Sequence, residues 1–301
     1  MVQPAAAQRS AGRQQPTTTA AERLVALTKT AQFYWWVGHV AVLVFGTLYY
    51  VNRPFGWSGA NWYYGKAYLG AILSYVIVIY KTYGPPQLNL AFAHRLILDE
   101  NVEYLLLAFY WWTQAPIVVT LVPFVVFSLF HVLTYARSTV LVAVFPSVGE
   151  ELQRARNTEP RSAAVLSAPA RISRMAGDWS SKYYSPALRE VGVWEVAVIG
   201  LWLVLGAVSF QTPLFAPFFY FHFLRMRYAM SAPTRAAFRR VRGYMDRALV
   251  PPSAHASVPG AVTDWYVRIR DYLSAMGASI VNPAAGGEQQ QQQQQHERRA
   301  R

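Results

Sequence analysis

Polar and apolar positions separate into long blocks along this 301-residue chain. Residues 30–52 carry no charge, enough for one membrane crossing centred on about 33–51. A second apolar segment covers about 61–80, and Lys66 near its start can snorkel toward the headgroups. Two further runs, 104–136 and 191–224, are too long for one comfortable crossing and too short for two. As a single helix the first would measure roughly 50 Å, whereas the hydrocarbon core of a bilayer is about 30 Å thick. Each run contains a proline with small or polar neighbours, at Thr113–Pro116 and at Gln211–Pro217. A break there gives two shorter helices that enter and leave by the same face. The backbone groups it frees must be bonded by protein or water, because lipid offers no partner. The alternative is one tilted or kinked helix per run.

Between these blocks the pattern changes. Residues 1–18 read as a disordered arm. Thr19 and Glu22 have capping-box spacing and open a helix that is expected to continue into the first crossing. "NRPFGWSG" (52–59) is a turn. After the "YGPPQ" break, residues 88–103 have helical apolar spacing at Leu90, Ala93, Leu96 and Ile97, which predicts one surface helix. Residues 137–190 form a polar connector of mixed charge, with Ile172, Met175 and Trp179 at helical spacing. The membrane domain is thus 19–224, followed by a basic amphipathic region at 225–280 and a Gln-rich disordered tail at 281–301.

Composition supports a membrane protein. Charged residues make up 14% of the chain, against about 25% in soluble domains. Trp and Tyr cluster near the ends of the apolar runs, as interface anchors do. The predicted fold is an all-α integral membrane protein, a polytopic helical bundle with helical hairpins and C-terminal amphipathic surface helices. The polar N-terminal segment lacks the features of a cleavable signal, so the first apolar segment is expected to be retained as an anchor. The net charge of +13 follows from a positive-inside excess on loops or from attraction to anionic lipid or an acidic partner. Hairpins would place the N-terminus, the connector and the tail together on the cytosolic side, whereas single crossings would put the connector in the lumen. Both arrangements leave the N- and C-termini cytosolic.

Chemistry-bearing residues are sparse. There is no cysteine, which excludes disulfides and thiolate metal sites. No phosphate-binding loop, dinucleotide fingerprint, HExxH or GxSxG motif is present, and no cofactor is implied. His94 and Asp99 have the H-x4-D spacing of glycerolipid acyltransferases, but on one helix positions five apart point about 140° from each other. That enzyme reading and a small transporter are the alternatives to a non-enzymatic protein. The transporter lacks an inverted repeat or a clear mid-membrane acid. Ser128, His131 and Tyr135 share a helical face inside an apolar run and are assigned structural hydrogen bonding. Glu195 is either a buried partner for an arginine or solvated at the interface.

The tail carries the clearest pattern. Phe238, Val241, Met245 and Leu249 form one apolar face, with Arg239, Arg240 and Arg242 around it. Val262, Trp265, Ile269, Leu273 and Met276 form another, flanked by Arg268 and Arg270, with Thr263 or Asp264 as the helix cap. Basic amphipathic helices with aromatic anchors suit a membrane surface and anionic lipids; the alternative is packing on the protein's own face. No nucleic-acid-binding module accompanies the arginines.

Three blocks, "LILDENVEYLLLAF" (96–109), "APIVVTLVPFVVFSLFHVLTYAR" (115–137) and "FFYFHFLRMRYAMS" (218–231), occur in an order and spacing that resembles the transmembrane protein 33 family, which includes fungal pore-membrane nucleoporins. The resemblance covers roughly residues 32–276. It implies a non-enzymatic protein of the endoplasmic reticulum membrane and nuclear envelope, active in membrane organisation, curvature and nuclear pore assembly or distribution. It also implies partners among reticulon-type membrane-shaping proteins, nucleoporins and an import receptor. The family supplies no catalytic residues to transfer.

Overall fold

A computed structural model describes residues 18–56, 59–157, 166–255 and 257–281. Among these residues there are helices and no strand. Three continuous helical stretches are long and apolar enough to cross a membrane, Ala31–Phe55, Val118–Val144 and Ala168–Val208. The protein is an all-α integral membrane protein.

The first helix, α1 (Ala20–Thr28), opens on the expected capping box, Thr19 and Glu22 each bonding the other's backbone. It does not run on into the first crossing. It stops at Lys29, and Thr30 caps a separate helix α2 (Ala31–Asn52) by accepting from the Phe33 amide. Helix α3 (Ala60–Tyr83) returns antiparallel to α2. Gly38 and Gly70 let the two backbones meet, since a Cβ on either would lie 2.6 Å from the other's carbonyl oxygen. Small residues at such crossings replace the hydrophobic drive that lipid removes.

The single surface helix expected over 88–103 is two helices, α4 (Leu90–Ile97) and α5 (Glu100–Thr113). Asp99 divides them. Its carboxylate accepts from the Asn101 and Val102 amides as the N-cap of α5, and from the Tyr83 hydroxyl at 2.8 Å. Helix α5 descends beside α3, Tyr104 stacked on Tyr75 with ring centroids 5.9 Å apart.

The 104–136 run breaks where its proline and polar residues are. Helix α5 ends at Thr113, and α6 (Val122–Tyr135) begins after an irregular segment. The chain reverses there. Going up α6, Tyr50 of α2 bonds the Val118 carbonyl, His39 meets Ser128, and Trp36 stacks on Tyr135. Five residues of π-helix (Ala136–Val140) lead from α6 to a short α7 (Leu141–Val144), then α8 (Ser147–Asn157).

Helix α9 (Ala168–Val193), a π segment (Trp194–Ile199) and α10 (Gly200–Val208) are one continuous 41-residue helix. At roughly 60 Å it runs without interruption through 190–191, where polar sequence gives way to apolar. The second break falls at Ser209–Leu214, and α11 (Phe215–Met230) climbs back beside α10 and α5. Phe210 closes this turn with φ 56°, the left-handed position that commonly ends a helix. The Gly206 carbonyl accepts from the amides of both Gln211 and Thr212. A Cβ at Gly206 would sit 2.8 Å from the Thr212 side chain, so the turn needs glycine.

The two breaks and the α2–α3 connection gather at one end of the bundle. Arg53, Gln114, Ile117, Gly206 and Pro213 line a common cavity of about 350 Å³ there. Helices α12 (Ala232–Leu249) and α13 (Gly260–Val281) lie at the opposite end.

The first break is held by side chains. Thr120 donates to the Ile117 carbonyl at 2.8 Å, and the buried hydroxyls of Tyr64 and Tyr68 reach Thr120 Oγ1 at 3.0 Å. The Ile117 amide donates to Tyr64, and Trp194 donates to the Val119 carbonyl at 2.9 Å. Thr120→Val removes the centre of this network and leaves two buried tyrosine hydroxyls short of an acceptor. It is expected to lower stability by about 1–3 kcal/mol, read as an earlier thermal unfolding transition of the detergent-solubilised protein. A transition unchanged from the parent would show that the network does not hold the break.

Candidate functional site

Two groups of residues stand out, one inside the bundle and one on its tail. The inner group joins α5, α9 and α11. Glu195 is 6% exposed and accepts from the Tyr104 hydroxyl at 3.0 Å. Interfacial solvation therefore does not describe it. Nor is an arginine its direct partner. Arg227, 8% exposed, stacks its guanidinium over the Tyr104 ring at 5.1 Å and pairs with Glu100 at 2.9 Å. Tyr104 thus stands between the acid and the base, its hydroxyl on one and its ring face under the other. Tyr220 fixes the same region by donating to the Glu195 carbonyl at 2.8 Å. Glu195 sits in the π segment, a local widening of the helix that often accompanies special side chains.

The other intramembrane polar residues make contacts within the bundle. Ser128 lies 3.0 Å from the His39 Nδ1, the His131 ring is 4.5 Å from the His39 ring, and Tyr135 stacks on Trp36. His39, Tyr104, Glu100 and Arg227 were not among the sequence candidates. His39 is the one histidine in the long neutral run of α2, a signal that could have found it. Arg227 follows the last apolar segment, where basic residues are commonplace. Among the described residues no group of His, Asp and Glu could hold a metal ion. His94 and Asp99 do not form a dyad, because Asp99 caps α5 and bonds Tyr83.

On the tail, the two amphipathic helices present themselves differently. Phe238 of α12 joins the main core and meets Tyr228 edge-on, and Ala237 and Thr234 are buried beside it. Val241 and Leu249 are half-buried, and Met245 is exposed. Arg240 pairs with Glu190 of α9 at 3.2 Å, and Arg242 pairs with Asp246 at 3.4 Å. Helix α12 is therefore bound to the bundle through Phe238, Ala237, Thr234 and Arg240, while Met245 of its predicted apolar face stays exposed.

On helix α13, Val262, Trp265, Ile269 and Leu273 are all exposed, Trp265 at 68%, while the neighbouring face makes the protein contacts. The side chain of Met276 lies outside the described residues. Tyr266 donates to Asp246 at 2.8 Å, Arg270 pairs with Asp246 at 3.2 Å and with Asp271 at 2.8 Å, and Gly277 rests against Tyr228. Burial opposes ionisation of Asp246, but Tyr266 and Arg270 outweigh it and hold the carboxyl below its usual range. Burial and the Asp246 carboxylate together push the Tyr266 hydroxyl up to about 12. Helix α13 begins at Gly260, earlier than either predicted cap, and Thr263 lies inside it, donating to the Leu249 carbonyl at 2.8 Å. Among the described residues, Arg239 and Arg268 are exposed and enter no ion pair.

Tyr104→Phe keeps the ring under Arg227 but removes the one hydroxyl bonded to a buried acid. It should cost about 1–3 kcal/mol, measured by thermal unfolding in detergent. The further loss on adding Glu195→Gln should be smaller than that of Glu195→Gln alone; fully additive losses would show that the two side chains do not act together.

A family model described as Transmembrane protein 33/Nucleoporin POM33 matches residues 14–279. The chain is 32% identical to Tetra-spanning protein 1 of Schizosaccharomyces pombe, over 87% of this chain and 90% of that protein. It is 30% identical to Nucleoporin POM33 of Chaetomium thermophilum, over 78% of this chain and 84% of that protein. It is 24% identical to Transmembrane protein 33 of Homo sapiens, over 70% and 76% of the two chains. No solved structure matches.

Proposed function

The chain belongs to the Transmembrane protein 33/Nucleoporin POM33 family, and from that we propose a non-enzymatic organiser of endoplasmic reticulum and nuclear-envelope membrane that supports nuclear pore assembly or distribution. Relatives named Nucleoporin POM33 and Pore membrane protein of 33 kDa support the placement at the nuclear pore. The observation that carries the mechanism is the exposed stripe Val262, Trp265, Ile269 and Leu273 on a helix fastened to the bundle by its neighbouring face. A stripe held in this way lies flat against a bilayer, with Arg268 at its edge facing anionic headgroups. Wedge-shaped hairpins and surface helices that enter one leaflet would favour curved membrane. Reticulon-type proteins, nucleoporins and an import receptor are the partners this reading proposes. The acyltransferase alternative loses its support with Asp99 engaged elsewhere.

Fully burying a large apolar side chain contributes about 1.5–3 kcal/mol, so two such losses weaken binding by about a hundredfold or more. A peptide covering 233–280 is expected to float with small anionic liposomes and to become more helical by circular dichroism. Replacing Trp265 and Ile269 with Asp should abolish flotation, and the same changes in the full chain should disperse it from pores while leaving it in the membrane. A parent peptide that stays unbound would refute the membrane contact. Equal binding to large and small liposomes would remove the curvature preference.

A further inference from the structure

A second feature lies away from the two breaks, toward the same end of the bundle as the tail helices, between the π segment that follows α6, helix α8 and the N-terminal half of α9. These elements enclose a cavity of about 500 Å³. Arg137 projects into it from the π segment, where the widened helix turns its side chain toward α9. The guanidinium lies over Gly177, where a Cβ would come within 3.0 Å of Nη1 and 3.3 Å of Cζ, so glycine is what makes the space. Arg137 Nε is buried and has no hydrogen-bond acceptor. Arg174 and Ser181 of α9 line the same cavity. Asp178 is its one carboxylate, and among the described residues it pairs with neither arginine. Ser173 is already committed, donating to the Arg137 carbonyl at 3.4 Å.

We propose that this cavity binds a phosphate group, that of an anionic lipid headgroup. A guanidinium nitrogen withdrawn from water without an acceptor is unfavourable, and the planar fork of arginine matches phosphate oxygens two at a time. A second arginine and a hydroxyl on the adjacent helix extend the donor set. The location selects lipid as the source. Arg137 follows Tyr135, whose ring stacks on Trp36, and aromatic residues of this kind mark the headgroup level. Trp179, two residues beyond Gly177, stacks on Phe130 within the apolar run, and Ile172 and Met175 are exposed on the same stretch of α9. Acyl chains have an apolar surface to follow directly beside the donors.

The test uses the purified full chain in detergent and native mass spectrometry, titrated separately with dioctanoyl phosphatidic acid, dioctanoyl phosphatidylcholine and inorganic phosphate. Phosphatidic acid is expected to bind best. Arg137→Gln and Arg174→Gln should each weaken it about tenfold, the scale of one lost charge-assisted hydrogen bond. Gly177→Ala should weaken it by displacing Arg137. Asp178→Asn should strengthen it by removing the one opposing charge. Arg174 and Asp178 are exposed, so their variants test the site even where Arg137→Gln impairs folding. Inorganic phosphate binding as tightly as the lipid would support the phosphate chemistry and assign it a soluble source. Equal binding of phosphatidic acid and phosphatidylcholine, or unchanged binding in both Arg174→Gln and Asp178→Asn, would overturn the proposal.

Discussion

A helix broken inside an apolar segment frees backbone groups that lipid cannot satisfy, and the rest of this structure is arranged around meeting that demand. At the first break the carbonyls of Ile117, Val118 and Val119 receive donors from Thr120, Tyr50 and Trp194, and the Ile117 amide finds Tyr64. Those donors come from the break itself, α2, α3 and the π segment after α9. Closing one turn therefore fixes the positions of the helices around it. The second break solves the same problem locally, with the Gly206 carbonyl accepting two amides and Phe210 taking the left-handed position.

Two closed breaks give a bundle in which neighbouring helices alternate in direction and the turns collect at one end. Tyr104, Glu195, Arg227 and Glu100 then join the second hairpin to the first near the other end. Helix α12 follows directly from α11 and packs on α9, and α13 is fastened to α12 through Asp246. Each step positions the next, from the backbone demand at the break to a tail helix held with one apolar stripe outward. The functional reading depends on that last geometry, because a tethered stripe avoids much of the ordering cost a free segment incurs on meeting a surface.

The sequence made part of this legible. Pro116 and its polar neighbours, and the Gln211–Pro217 stretch, marked both breaks because proline and uncharged polar groups in a long apolar run have few other uses. Thr19 and Glu22 announced their capping box for a similar local reason. The stripe of α13 followed from helical spacing alone. What stayed hidden was set by contacts distant in sequence. Nothing near Glu195 names Tyr104, 91 positions away. The helix through 190–191 was invisible because a change from polar to apolar residues marks a change of solvent, not an end of helix. His94 and Asp99 were noted for their spacing, which helix geometry already disfavoured, but the local role of Asp99 as an N-cap that splits that helix went unread. For α12, the spacing named Phe238, which packs on the core, but missed the buried Thr234 and Ala237 and included the exposed Met245, and spacing cannot distinguish lipid from the protein's own surface.

The central claim is that both long apolar runs are hairpins, and thiol mapping tests it most directly, since the chain has no cysteine of its own. Single cysteines placed at Thr28, Gln153 and Ser253 and at Gly59, Ala115 and Gln211 occupy the two ends of the bundle at exposed positions. With a membrane-impermeant maleimide on sealed microsomes, the account predicts that positions 28, 153 and 253 react together. Positions 59, 115 and 211 should react only after the membrane is permeabilised. Protection of position 153 alongside 59, with 28 and 253 labelled, would mean that each run crosses once, and would contradict the account.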